Sequence, residues 1–206
     1  MLDFMKRVKH VNPMLNYKDI PKLTGDGRYQ VDVDFLNLEK MLEFWNVDMD
    51  PDFQRGYVWT RAQQIAYVET RLRGEVASRM IQLNNPGINS AVNAPTVMVD
   101  GKQRVTAVRQ FLNNEFPIFK NMYMAALPLP VTDIMARPGY YFRDIQNFPG
   151  MGYLNCSFRF CINNLKTKAE VLKWYLELNA GGTIHTEDEL NHVKMLLKEE
   201  QKVTSS

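Results

Sequence analysis

The sequence predicts an α+β fold for a chain of 206 residues. Three observations point there. Short apolar runs of β type stand among amphipathic stretches in an irregular order, not in a repeated βαβ alternation. Thr60–Gln63, Thr167–Glu170 and Thr186–Glu189 each carry the Thr-x-x-Glu/Gln signature of a helix start. Clusters of glycine, proline and asparagine separate the elements.

Taken in order, residues 1–30 read as irregular, with Pro13, Pro21 and Gly25-Asp26-Gly27 as turn signals. Gln30–Val33 alternates and predicts a short strand. Phe35, Leu38, Leu42 and Trp45 fall at helical spacing, so a helix is expected over 35–46. Asp50–Gly56 reads as a loop. The capping box at Thr60 opens a helix whose stripe is Ile65, Val68 and Leu72, and Gly74 ends it. Met80–Leu83 is a strand, followed by a polar loop to Ala94. A strand over 95–99 and a helix over 104–113 come next. Glu115–Phe119 is expected as a further strand. Residues 127–153 hold four prolines and read as loop-rich with short strands. Asn155–Cys161 alternates in part and predicts a strand. The second capping box starts a helix that Asn179-Ala180-Gly181-Gly182 stops, and the third starts the last helix. The organisation expected is an extension over 1–27, one domain over 28–200 and a tail over 201–206.

Hydrophobic residues make up 45% and charged residues 23%, which suits a single domain with a sizeable core. The net charge of +2 gives no strong vote for nucleic acid or a membrane surface. Local charge is more suggestive. Lys6, Arg7, Lys9 and His10 form a basic tract, and Arg55, Arg61, Arg71, Arg73 and Arg79 outnumber the nearby carboxylates. A solvated basic face explains both as well as a nucleic-acid surface does. Cys156 and Cys161 are spaced against a local disulfide in one strand, and with His185 and His192 they make no usual zinc pattern. A reducing, cytosolic setting is expected, with no leader segment and no membrane span.

The most informative stretch is Asp100-Gly101-Lys102-Gln103-Arg104, between an apolar strand and a helix. A strand that turns through glycine into a helix leaves backbone N–H groups unpaired at the helix start, and these attract anions. Here a lysine, an arginine and a carboxylate are added. A phosphate cradle and an ordinary βα turn capped by Asp100 both remain open on these residues alone. Asp52-Phe53-Gln54-Arg55-Gly56-Tyr57-Val58-Trp59 joins an arginine, fit for bidentate phosphate binding, to the large aromatics Tyr57 and Trp59. The plain alternative makes the aromatics core and Arg55 a surface residue. Asn179–Thr183 is a glycine-rich loop that either approaches a ligand or only connects helices. His185 is a candidate acid or base, though a histidine near a cap more often has a structural role. No Walker A, metalloprotease or Ser-His-Asp pattern occurs.

Together these pieces resemble the N-terminal domain of GmrSD-type restriction proteins, the ParB/sulfiredoxin-like domains with a DGQQR motif. The matching residues are Phe53-Gln54-Arg55-Gly56-Tyr57-Val58-Trp59, Val99–Arg104 and Asn179-Ala180-Gly181-Gly182-Thr183. Their order and spacing agree over about residues 28–197. The resemblance implies a ParB/sulfiredoxin-like α+β fold, nucleotide binding and NTP hydrolysis with a divalent metal. In larger members a separate HNH-type domain adds DNA cleavage. Two departures stand out. Lys102 replaces a glutamine of the motif, and a nuclease domain is not expected within 206 residues, so nuclease activity is not expected of this chain alone. A solitary domain suits a phage or another mobile element.

Three functions follow as expectations. In the first, the domain binds a nucleoside triphosphate and hydrolyses it weakly. Arg55, Gly101, Lys102, Arg104, Asn179, Gly181 and Gly182 hold phosphates, Asp100 binds Mg²⁺ or Mn²⁺, and Asp100, Gln103 and Arg104 are catalytic, with Gln103 orienting a water or contacting the ligand. In the second, the domain binds or nicks DNA through its basic segment. In the third, it is a non-catalytic partner of a separate effector protein. The first also predicts a geometry: Arg55, Asp100, Arg104 and the Asn179–Gly182 loop lining one cleft.

Overall fold

A computed structural model describes residues 28–88, 95–120, 138–146, 156–179 and 187–203. Its centre is a mixed sheet of five strands: β1 (Tyr29–Asp34), β2 (Val47–Asp48), β3 (Met80–Asn84), β4 (Thr96–Asp100) and β5 (Ser157–Asn163). The spatial order is β1-β5-β3-β4-β2. β5 pairs antiparallel with β1 and parallel with β3, while β4 pairs antiparallel with β3 and parallel with β2. The helices are α1 (Leu38–Phe44), α2 (Arg61–Leu72), α3 (Lys102–Leu112), α4 (Phe142–Ile145), α5 (Lys168–Asn179) and α6 (Glu187–Val203). Strands and helices mixed without a regular alternation make this an α+β fold.

Both faces of the sheet are used, unequally. On one side Phe158, Phe160, Ile81, Leu83 and Met98 pack against α1, α2 and α3 through Leu38, Val68, Val105 and Phe111. On the other, Val97 and Val99 meet Phe53, Leu172, Trp174, Tyr175 and Val193. Successive residues of a strand point to opposite faces. The continuous run Val97-Met98-Val99 therefore serves two cores, which is why it reads as apolar without alternation. β5 does alternate: Phe158, Phe160 and Ile162 are buried, while Arg159 and Cys161 are half-buried on the less covered face.

Helix starts follow the sequence signals. The Thr60 hydroxyl accepts from the Gln63 amide, and Gln63 returns the bond to the Thr60 N–H. Thr167 and Glu170 exchange the same pair of bonds ahead of α5. Gly74 has φ +93°, as the stop after α2 requires.

Some expectations are corrected. The helix over 35–46 begins as a 3₁₀ turn at Phe35–Asn37 and ends at Phe44. The helix after the central motif starts at Lys102 rather than at 104. Glu115–Phe119 forms no strand, only a single bridge between Ile118 and Tyr140. Positive φ at Asn114 and Phe119 breaks the extended path at both ends of that segment. In the segment read as loop-rich with short strands, Phe142–Ile145 is a turn of helix. The N-terminal extension and much of 127–153 lie outside the described residues.

Candidate functional site

β4 ends at Asp100, the chain turns at Gly101 and α3 begins at Lys102. Gly101 has φ +111°, and a Cβ there would stand 2.5 Å from Ile81 Cδ1. Glycine is therefore required twice, by the backbone and by the approach to β3. Gly101 is the N-cap, and no side chain caps the helix. Asp100 thus does not cap α3. It accepts instead from Arg104 Nη2 at 2.5 Å, while Arg104 Nη1 reaches the Ser78 carbonyl at 3.3 Å.

This turn is the floor of a cavity of about 450 Å³, a size that suits a small ligand. One wall is the segment Asp50–Trp59, with Gln54, Arg55 and Trp59 facing the cavity, and Tyr67 and Ser78 extending it. The other is the end of α5: Tyr175, Leu178 and Asn179. Phe53 and Tyr175 join the walls at their base, ring to ring at 5.3 Å.

The loop wall is held by the motif residues. Gln103 Oε1 accepts from the backbone N–H groups of Val58 and Trp59 at 3.0 and 3.1 Å, and its Nε2 donates to the Gly56 carbonyl at 3.1 Å. The Lys102 ammonium pairs with Asp50 and donates to the Arg55 carbonyl at 3.1 Å. Gln54 donates to the Met98 carbonyl at 2.6 Å. From the other side, Lys168 meets Asp52 at 2.7 Å, and His192 Nε2 lies 3.1 Å from the Asp52 carbonyl. The two sequence motifs are thus one unit: α3, which begins inside DGKQR, carries the Lys102 and Gln103 side chains that bond the backbone of the FQRGYVW segment.

The electrostatics are balanced. Arg55 pairs with Glu189 at 3.5 Å, Lys102 with Asp50 and Arg104 with Asp100. Each cation at the cavity has a carboxylate, so an incoming anion competes with carboxylates rather than filling a bare positive hole. Burial pushes the Tyr67 and Tyr175 hydroxyls up to about 12, so both are neutral donors at ordinary pH. Tyr67 donates to the Ser78 carbonyl at 3.1 Å. Among the described residues no group of three or more His, Cys, Asp or Glu side chains could hold a metal ion. Asp100 offers one carboxylate, with one oxygen on Arg104. That suits Mg²⁺ only where phosphates and water supply most of the ligands.

Of the residues singled out in the sequence, Arg55, Asp100, Gly101, Lys102, Gln103, Arg104 and Asn179 meet at this cavity. Gly181, Gly182 and His185 lie outside the described residues. Asp50, Tyr67, Tyr175 and Glu189 were not anticipated. Tyr175 reads in the sequence only as one of the apolar residues of α5, Glu189 only as the last residue of a capping box, and Asp50 only as loop, because their partners at the cavity are distant in sequence.

A family model described as the N-terminal domain of the GmrSD restriction endonuclease matches residues 34–196. The chain belongs to that family. No curated protein and no solved structure matches it.

Proposed function

We propose that this member of the GmrSD N-terminal domain family binds a nucleoside triphosphate and hydrolyses it with a divalent metal, on a ParB/sulfiredoxin-like scaffold. One observation carries the reading: Arg55, Asp100, Gly101, Arg104 and Asn179, far apart in sequence, converge on one cavity of about 450 Å³ at an uncapped helix start. A helix terminus alone is a weak anion site, and converging cations make it selective. Arg104 and Arg55 grip phosphate oxygens from opposite sides, and the amides after Gly101 support them. Asp100 would hold Mg²⁺ or Mn²⁺. The metal would offset charge on the phosphates. Trp59, Tyr67 and Tyr175 exclude water along the walls.

Isothermal calorimetry with the four common nucleoside triphosphates and Mg²⁺ tests this. Saturable binding is expected, with loss in Arg104→Ala while circular dichroism stays unchanged. Tight binding that survives Arg104→Ala rejects the site.

A second reading, binding without turnover, draws on Gln103. Both ends of its amide are engaged by the loop backbone, so Gln103 is not free to orient an attacking water. Phosphate release that disappears in Asp100→Ala rejects this reading. DNA binding has less support. Arg61 faces Glu115 and the Phe116 ring, Arg71 is buried and Arg73 lies over Phe119, so the basic segment forms no single stripe. A separate effector partner remains part of the proposal through the family's role in restriction systems.

A further inference from the structure

Lys102 is the position where the chain departs from the DGQQR pattern, and a lysine beside a phosphate site invites the role of phosphate ligand. Its surroundings point elsewhere. The side chain is only 10% exposed, and its ammonium is committed to two oxygens of one segment, the Asp50 carboxylate and the Arg55 carbonyl. A buried ammonium needs such partners, since an unpaired charge away from water is costly. The second oxygen belongs to Arg55 itself, so the position of Lys102 and that of the Arg55 backbone are coupled directly. Gln103, the next residue, continues the attachment at Gly56, Val58 and Trp59.

We infer that Lys102 is a positioning residue that ties Asp50–Arg55 to the start of α3 and sets where the Arg55 guanidinium stands, and that it is not itself a ligand of the anion. The tether is a property of the free protein. Its consequence for binding rests on the phosphate-site reading above.

The two roles for Lys102 predict opposite responses to Asp50→Asn. Asp50 is 77% exposed, so the substitution is mild for the fold. A tether loses its ionic anchor, and the affinity for a nucleoside triphosphate weakens by about threefold or more. A phosphate ligand, freed from its competing carboxylate, binds more tightly instead. Tighter binding in Asp50→Asn overturns the inference.

A second readout needs no nucleotide. Amide hydrogen exchange at Val58 and Trp59 in the free protein is expected to quicken in Asp50→Asn and in Lys102→Met. Lys102→Gln, which can still donate to the Arg55 carbonyl, is expected to restore part of the protection. Unchanged exchange in both Asp50→Asn and Lys102→Met overturns the tether. If the parent protein binds no triphosphate, the phosphate-site reading fails, and the exchange experiment still decides the role of Lys102.

Discussion

Asp50–Trp59, one wall of the cavity, contains no helix or strand, whereas the opposite wall is the end of the twelve-residue helix α5. The helix satisfies its backbone internally and is held by apolar burial through Val171, Leu172, Trp174 and Tyr175. The loop wall has no ladder of its own. Apart from one internal bond, Gln54 N–H to the Pro51 carbonyl, its backbone leans on side chains from elsewhere, chiefly Lys102 and Gln103, and its buried side chains are Pro51 and Phe53. Buried backbone polar groups must find partners, so an irregular wall needs side chains delivered from a neighbouring regular element. The difference teaches where each wall is vulnerable. The helical wall is as stable as the core beneath it, and the loop wall can open while the core stays intact.

The largest expected effect is on the helical wall. Leu172 is fully buried, and Leu172→Ala is expected to cost about 2–5 kcal/mol through the cavity it leaves. Urea denaturation followed by circular dichroism measures this, and the whole transition should move. A loss well below that range would mean that the wall is not held by the core.

Next comes the floor that both walls share. Gly101→Ala places a side chain at φ +111° and brings its Cβ within 2.5 Å of Ile81 Cδ1. The backbone strain alone costs about 1–3 kcal/mol. Thermal melts of Gly101→Ala, with and without Ile81→Val, separate the contributions. Ile81→Val removes the clashing methyl and should return part of the loss, while the φ strain remains.

Gln103→Leu sharpens the contrast on the loop side. It removes three hydrogen bonds from an exposed segment, and the global cost expected is about 1 kcal/mol. Exchange at the Val58 and Trp59 amides should nevertheless rise steeply. A cooperative loss of stability as large as that of Leu172→Ala would erase the distinction between the walls.

The last effect, absent at neutral pH, is a pH dependence. The Tyr67 and Tyr175 hydroxyls are raised from 10.0 to about 12, chiefly by burial. The native state holds these protons more tightly than the unfolded chain does. Their contribution is complete below pH 10 and is lost as the pH rises toward 12. Stability should fall across that window, and tyrosinate absorbance should lag behind that of the unfolded chain. Ionisation of these two rings near pH 10 without unfolding, read as the absorbance difference from Tyr67→Phe and Tyr175→Phe, would contradict their burial.

Most of the fold was legible because its signals are local. Thr60 and Gln63 announce a helix start four residues long in sequence and one turn long in space. The Val97-Met98-Val99 run announces a strand covered on both faces. Glu115–Phe119 misleads because its apolar pattern fits a strand, while positive φ at Asn114, where α3 stops, and at Phe119 interrupts the extended path. The site was legible to the same extent. Arg55, Asp100 and Arg104 stand in motifs and line one cavity with Asn179, while Gly181 and Gly182 of the expected cleft lie outside the described residues. Asp50 and Glu189 were not legible, because a carboxylate in a loop or at a helix start looks the same whether it faces solvent or a distant cation.

By itself, then, the amino-acid order determined the α+β class, the capped starts of α2 and α5 and the glycine turn at Gly101. Each depends on neighbours within a few positions, where backbone sterics and hydrogen-bond reach decide the outcome. Only the tertiary structure decided how the residues around that turn are used. It turned Lys102 and Gln103 toward Asp50–Trp59 and set a carboxylate beside each cation of the cleft. Those choices depend on which segments the sheet order β1-β5-β3-β4-β2 brings side by side. Charge and hydrogen-bond partners act through space over a few ångströms, and the sequence does not state which distant residues will share that space.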